Sequence, residues 1–405
     1  MRHNGPWLRA AEGAMLLGPD GVPAPTVFAE MSALAASTGA VNLGQGFPDE
    51  DGPVEVLDAA VQAIRDGVNQ YPPGRGTPDL RLAIAEHQRH WYGLEVDPDQ
   101  EVLVTAGATE ALAATLLALV EPGDEVVTFE PFYDAYGALI RLAGATHVTV
   151  PLTAPDFLPD ESTLRAAFSD RTRAVLVNTP HNPTGRVLPT EVLRVVVELA
   201  ERHDAVIITD EVYEHLTFDT EHAPFVPHVP IATLPGARER TVTVSSAGKT
   251  FSTTGWKIGW LTAPPALVTA ITTVKQYLTF VNGAPFQPAV AAGLRLPDPV
   301  FAGIAADLAA KHAVLAAGLT AAGFGVHRPD GGYFVIADTA PLGYEDARAF
   351  CLELPHLAGV VGVPVSAFVR PDHAAGYRSL VRFAFCKKRS VLEDAASRLA
   401  TLSRA

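Results

Sequence analysis

The chain has 405 residues, 48% of them apolar and 19% charged, and carries a formal net charge of −15 at pH 7. Its length allows two or three domains, and its composition supplies a full hydrophobic core, which excludes a disordered chain. The acidic balance argues against non-specific binding to nucleic acid or to an anionic membrane, because a phosphate-binding surface needs a basic stripe.

Residues 1–25 carry Gly, Pro and charge without periodicity and read as a loose N-terminal arm. The apolar run at 14–17 is shorter than a signal-peptide core, and no unbroken apolar stretch approaches the roughly 20 residues of a membrane helix. From residue 26 the positions Val27, Met31, Leu34 and Ala35 recur at helical spacing. A Gly/Pro-rich passage, GQGFPDEDGP, closes this segment at 53, which is expected to be the N-terminal part of a small domain. A large domain is expected over 54–288. It opens with a helix over 54–65 and then alternates strand runs with helices at 109–120, 133–142 and 191–202. The strand runs are EVLVTAG, EVVTF, HVTVPL, RAVLVNTP, AVIITDE, TVTVSS and WKIGWLTAP. Short β-branched runs separated by helices predict an α/β architecture with a mostly parallel, seven-stranded sheet covered on both faces. Over 289–405 long Ala-rich helices surround GGYFVIAD and LVRFAF, so a smaller α+β domain is expected there. Two cysteines, Cys351 and Cys386, without a CxxC or Cys/His cluster, exclude a disulfide framework and fit a reducing cytoplasm.

Five segments carry chemistry. SSAGKTFSTTGWKIGW places Lys249 just after a strand in a turn of small residues, where a flat cofactor could approach a lysine on rigid backbone. Ser246 and Lys257 flank it and suit a phosphate; a solvated turn lysine is the bland alternative. AVIITDEVY ends a buried-type strand on Asp210, with Tyr213 following, at the edge where open α/β sheets bind ligands. That carboxylate could pair with a protonated ring nitrogen or merely cap the next turn. NTPHNPTG carries Asn178 and Asn182 on an irregular loop, which could also be an ordinary Asn-Pro turn. TAGATEA brings the N–H groups of Ala108 and Thr109 to a helix N-terminus, suited to an anion or to close packing. Arg382 lies between apolar neighbours in SLVRFAF and needs a carboxylate, either a ligand's or an internal one.

Taken in order, these motifs resemble the class I/II aminotransferases of pyridoxal 5′-phosphate (PLP) fold type I. NLGQGFPDEDGP, NQYPPGRGTPDLRLAIA, PGDEVVTFEPFYDAY, GGYFVIAD and GVVGVPVSAF narrow the resemblance to the clade of N-succinyldiaminopimelate, kynurenine and methionine aminotransferases. It covers the chain from about Thr26 onward. The resemblance implies PLP as cofactor, no metal, and a homodimer with sites shared across the interface. It implies that Lys249 bonds the cofactor and shuttles the substrate proton, that Asp210 pairs with the ring nitrogen, and that Tyr213 and Asn182 reach the phenolic oxygen. Tyr133 would stack on the ring. Ser246, Lys257, Ala108 and Thr109 would hold the phosphate, joined by Tyr71 from the neighbouring subunit. Arg382 would take the substrate α-carboxylate, assisted by Asn182 and the backbone at Gly46. A cysteine-S-conjugate β-lyase on the same fold is the alternative activity, and a non-enzymatic ligand sensor a remote one. For a second substrate carboxylate, Arg75 is the one nearby cation the sequence offers, unless it is an exposed turn residue.

Overall fold

The computed structural model describes residues 5–18, 20–219 and 225–402. All seven β-branched runs form strands of one sheet. Its spatial order is Val102–Ala106, Ile258–Thr262, Thr241–Ser246, Val206–Asp210, Thr172–Asn178, Glu125–Glu130, Thr146–Thr153 and finally Leu158–Pro159. The eighth strand is the addition. It is two residues long and antiparallel to Thr146–Thr153, too short to show any alternation in sequence. Ile258–Thr262 also runs antiparallel to both its neighbours, and the other four pairings are parallel.

Burial explains the composition of these strands. Every residue of Glu125–Glu130 and Val206–Asp210 is buried, as a sheet covered on both faces requires. Successive residues point to opposite faces, so Val126, Leu176 and Ile208 enter one apolar cluster while Val127, Val175 and Ile207 enter the other. Helix Gly107–Leu119 contributes Leu112 and Leu116 to the first, and helix Thr190–Arg202 contributes Leu193 and Val196 to the second.

A second sheet is antiparallel, in the order Gly325–His327, Phe334–Asp338, Leu380–Ala384 and Val363–Pro364. Helix Val27–Thr38 is opened by the Thr26 hydroxyl, which accepts from the Ala29 N–H, and is closed by Gly39 in the left-handed conformation. The strand Val41–Asn42 that follows pairs in parallel with Val360–Val361. Leu43 therefore shares a core with Val335 and Phe383, and the segment leading to Gly46 is anchored to the second sheet.

Two expectations change. The arm contains a helix, Pro6–Gly13, seated on helix Asp134–Leu142. The two backbones touch: a Cβ at Gly13 would lie 2.1 Å from the Gly137 carbonyl oxygen, and one at Gly137 would lie 2.2 Å from the Gly13 oxygen. Arg141 pairs with Glu12 at 2.9 Å across the crossing. Eight residues give only two turns, too few for the spacing to stand out among the flanking glycines and prolines. Residues 1–4 and 19 of the arm lie outside the described residues. The other change concerns Asp298–Ala322, a helix of 25 residues that is long and apolar enough to cross a membrane by length and composition. Alanines supply much of that hydropathy, so no unbroken run betrays it. Here Phe301, Leu308, Leu315 and Leu319 are buried in the apolar cores. Lys311 pairs with Asp307 at 2.6 Å and also with Glu50.

The glycine crossing yields a stability test. Gly13→Ala should force the arm helix off its seat, at about 1–3 kcal/mol for an overpacked contact. A lower melting temperature and faster proteolysis within the arm are expected; if both match the parent, the crossing is not what holds the arm.

Candidate active site

The carboxyl ends of the parallel strands converge on a cavity of about 340 Å³. Strand Val206–Asp210 delivers Asp210 into it, and Thr172–Asn178 delivers Asn178 beside it. The Asn178 side chain donates to the Asp210 carbonyl oxygen at 2.8 Å and accepts from the Asn182 N–H at 2.7 Å, so one amide braces both strand ends. The Asp210 carboxylate is buried, and burial raises its pKa. Opposing that shift, the Tyr136 hydroxyl donates to Asp210 Oδ2 at 2.6 Å and the Val212 N–H lies 3.5 Å from Oδ1.

Lys249 stands on the short helix Ala247–Thr250, directly after strand Thr241–Ser246. A Cβ at Gly248 would lie 3.0 Å from Thr254 Cα, so the turn accepts only a small residue beside the lysine. The Lys249 amine is buried, which lowers its pKa; Lys257 and Arg382 lower it further, while Cys386 and Asp210 oppose them. Its Nζ donates to the Tyr333 hydroxyl at 2.9 Å.

An anion cradle forms where helix Gly107–Leu119 leaves strand Val102–Ala106. Gly107 has φ +71°, and a Cβ there would sit 3.1 Å from Lys257 Nζ. Gly259 is equally constrained, since its Cβ would lie 2.5 Å from the Gly107 carbonyl carbon. Lys257 takes the left-handed conformation, and its carbonyl accepts from Asn282 Nδ2 at 3.0 Å. The first-turn N–H groups at Ala108 and Thr109, the Ser246 hydroxyl and the Lys257 ammonium therefore face one space, a donor set suited to a phosphate.

Arg382, on strand Leu380–Ala384, is 1% exposed. Its Nη1 donates to Asn182 Oδ1 at 3.0 Å and its Nη2 to the Gly44 carbonyl at 2.9 Å, while Nε has no partner. Aromatic rings surround it, with Phe334 at 4.0 Å, Phe368 at 4.8 Å and Phe28 at 5.3 Å from Cζ. Burial lowers its pKa to about 10. No carboxylate among the described residues pairs with it, so the internal salt bridge is absent there. A buried guanidinium held only by neutral acceptors at a cavity wall is built to receive a carboxylate.

The cavity brings together Gly46, Ala108, Thr109, Tyr133, Asn182, Asp210, Tyr213, Ser246, Lys249, Lys257 and Arg382. Burial pushes the Tyr133 phenol up to about 12 and raises that of Tyr213 as well. Tyr71 is not among the lining residues. It is 82% exposed, its ring edge-on to Phe280 at 5.5 Å. Gly46 lines the cavity, and its carbonyl accepts from Tyr333 at 2.6 Å, while the carbonyl that meets Arg382 is that of Gly44. Arg75 is absent from the cavity and donates to the Gln100 and Val102 carbonyls at 2.8 and 3.1 Å. Tyr136 and Tyr333 are the residues sequence reasoning missed. Both stand in quoted motifs, EPFYDAY and GGYFVIAD, where only their aromatic character could have marked them.

His87 meets the adjacent pair Glu214 and His215 in a largely buried group with metal-ligand atoms, a meeting of distant segments that the sequence could not show. The two Nε2 atoms are 2.6 Å apart. Tetrahedral ligands at about 2.0 Å from one zinc ion would lie about 3.3 Å apart, so these rings bond each other instead. Glu214, pushed up to about 6 by burial, is bonded to Ser245.

Residues 38–399 match the family described as aminotransferase class I and II. The chain is 53% identical over 391 residues to a probable N-succinyldiaminopimelate aminotransferase of Mycobacterium tuberculosis, covering 94% of this chain and 96% of that one. It is 39% identical over 396 residues to kynurenine–oxoglutarate transaminase 3 of Mus musculus, covering 91% and 86%. The solved structure of N-succinyldiaminopimelate aminotransferase from Mycobacterium tuberculosis superposes with a TM-score of 0.89 at 53% identity, covering 94% of this chain and 97% of that one.

Asp210 supplies a pH test. Because its folded pKa is raised, its contribution favours folding below the unfolded value of about 3.9 and is lost as pH rises through the folded value. Asp210→Asn keeps an acceptor for Tyr136 and removes the buried charge. In the ligand-free chain its melting temperature should exceed the parent's by a margin that grows as pH rises above the unfolded value of about 3.9. A margin independent of pH would mean that Asp210 titrates alike in both states.

Proposed function

As a member of the aminotransferase class I and II family, the chain is a PLP-dependent aminotransferase, and we propose that its amino donor is of the N-succinyldiaminopimelate type. The observation that carries the reaction is the pairing of two buried cations in one cavity: Arg382 with no acid partner, and Lys249 with its pKa lowered by burial. One holds a carboxylate and the other is poised to lose its proton. The 53% identity to a probable N-succinyldiaminopimelate aminotransferase supports the donor class. The 39% identity to a kynurenine transaminase keeps kynurenine, methionine or glutamine as the second reading.

The residues fit PLP at both ends. Asp210 offers a carboxylate to the ring nitrogen, and its bond from Tyr136 favours the ionised form that can hold a proton on that nitrogen. Ala108, Thr109, Ser246 and Lys257 are the phosphate donors. Tyr213 and the Asn182 Nδ2 group would reach the phenolic oxygen, and the Tyr133 ring would cover one face. When bound, the cofactor supplies an aldehyde for the amino group and a conjugated ring that stores the electron pair freed at the substrate α-carbon. The chain's own part is binding, orientation and proton movement. Arg382 grips the α-carboxylate, and Asn182 Oδ1 and the Gly44 carbonyl fix the plane of its guanidinium. That fixes the direction of the Cα–H bond. Lys249, whose pKa burial lowers and the nearby Lys257 and Arg382 charges lower further, takes the α-proton and returns it.

The enzyme works as a homodimer in this reading, with Tyr71 lent to the neighbour's phosphate. Tyr71 is 82%, Tyr277 83% and Phe280 47% exposed, an aromatic surface suited to a partner. Cys351 and Cys386 are both free and buried, in keeping with a reducing cytoplasm.

The test is a half-reaction followed by absorbance, with the loaded enzyme mixed separately with N-succinyldiaminopimelate, kynurenine, methionine, glutamine and glutamate and no keto acid present. Fastest conversion to the pyridoxamine form with N-succinyldiaminopimelate is expected. Faster conversion with kynurenine or methionine moves the donor class, and continuous pyruvate and ammonia release from a cysteine conjugate moves the assignment to a lyase. Lys249→Ala should abolish turnover and leave the fold intact; residual transamination in that variant removes Lys249 from its role. Arg382→Ala should raise KM for both amino and keto acids by about 10- to 100-fold, the worth of a charge-assisted pair. A change confined to kcat would deny Arg382 the carboxylate.

A further inference from the structure

Lys249 borders two spaces. One is the cavity that Arg382 faces. The other is a second cavity of about 400 Å³, lined by Tyr333, Cys386 and the Glu50–Lys311 pair among others. Between them the amine has one hydrogen-bond partner among the described residues, the Tyr333 hydroxyl at 2.9 Å. Tyr333 is 1% exposed and fixed on all sides. Its ring packs edge-on against Tyr213 at 5.2 Å and against Phe334 at 4.8 Å, and its carbonyl accepts from the Phe385 N–H at 2.9 Å. Its hydroxyl donates to the Gly46 carbonyl at 2.6 Å. Gly46 lies against the same two rings: a Cβ there would meet Phe334 Cζ at 2.3 Å and Tyr333 Cε2 at 3.3 Å. The next residue is tied down as well, because Lys387 Nζ donates to the Phe47 carbonyl at 2.7 Å.

A phenol has one proton, and here it is donated in the hydrogen bond to the Gly46 carbonyl. The Tyr333 oxygen can then only accept from Lys249, which makes the amine a donor in this contact and leaves the nitrogen lone pair free. That is the state a base needs when it must remove a proton. Burial raises the Tyr333 pKa well above that of a free phenol, so the hydroxyl keeps its proton and does not compete as a base.

We propose that Tyr333 is a positioning residue for Lys249: it holds the amine at the cavity wall once substrate has displaced it from the cofactor, and through Gly46 it couples that hold to the backbone that shapes the substrate cavity. This rests on the aminotransferase reading above. It adds an anchor for the base during the half of the reaction in which the base is not bonded to the cofactor. Without it the released amine would sample the second cavity, and each proton transfer would wait for its return.

Tyr333→Phe tests this, since it removes one buried oxygen and keeps the ring packing; near-ultraviolet circular dichroism and cofactor stoichiometry check that the variant is folded and loads. Two quantities are then measured. In the cofactor-free full chain, the rate of reductive methylation at Lys249 by formaldehyde is followed against pH by mass spectrometry. Loss of the acceptor should move the inflexion to lower pH. In the loaded enzyme, the single-turnover rate with the fastest amino donor should fall about tenfold, the worth of one hydrogen bond, with the donor concentration at half-saturation unchanged. Either an unchanged labelling profile or an unchanged single-turnover rate overturns the proposal. Failure of the aminotransferase reading would show separately, as a parent enzyme that converts no donor while its labelling profile remains measurable.

Discussion

Burying Asp210 without a counter-ion sets the terms on which the rest of this site is built. A carboxylate at the end of a central strand, closed off by apolar neighbours, is costly in its charged form. The chain answers with neutral donors: the Tyr136 hydroxyl on one oxygen and the Val212 N–H near the other. The Asn178 amide, bonded to the carbonyl of the same residue, fixes the backbone that aims it. Neutral donors stabilise the charge without cancelling it, so Asp210 remains available to a cationic ligand atom. A lysine or arginine in the place of Tyr136 would make a stronger pair and a useless one.

The same logic governs Arg382 and Lys249. Arg382 is buried and Lys249 half-buried, and each meets neutral acceptors, a carbonyl and an amide oxygen in one case and a phenol in the other. Three ionisable groups thus face one cavity without forming a salt bridge among themselves. This arrangement lowers the stability of the ligand-free chain and concentrates unspent interaction in the site. The glycines show the cost in another way. Gly107 and Gly259 surrender side chains so that Lys257 and the helix N-terminus can close on one space. Backbone approach of that kind tolerates no Cβ, and it gains the fold nothing but the cradle.

Legibility from sequence followed the range of the physics. The seven strands were readable because a doubly covered parallel sheet demands unbroken β-branched runs, and residues such as Asp210 and Ser246 were readable because they end those runs. The motif order carried what single motifs could not, and the cavity gathers every residue so named for its own subunit's site. What escaped was of two kinds. Elements of one or two turns or two residues, such as Pro6–Gly13 and Leu158–Pro159, hold too little periodicity to register. Contacts between distant segments leave no local trace at all: Tyr136 and Asp210 are 74 residues apart, and Tyr333 and Gly46 are 287 apart. Nor does anything near Arg75 in sequence announce the two carbonyls to which it donates.

Arg382 gathers these strands of argument into one geometry. It stands on the second sheet, donates to Asn182 from a loop of the first, and donates to Gly44 on the segment anchored by Val41–Asn42. One residue therefore ties three parts of the chain together, and the two it reaches hold its guanidinium through neutral acceptors that a carboxylate can outbid. A ligand carboxylate arriving at Arg382 weakens or shares the bond to Asn182 Oδ1 and the bond to Gly44. Two residues beyond Gly44 lies Gly46, whose carbonyl holds Tyr333 and through it the Lys249 amine. Recognition of the carboxylate and placement of the base are thus connected through three residues of backbone. The aromatic walls formed by Phe28, Phe334 and Phe368 keep water from competing for the guanidinium, so the charge that recruits the carboxylate acts at low dielectric, where it is strongest.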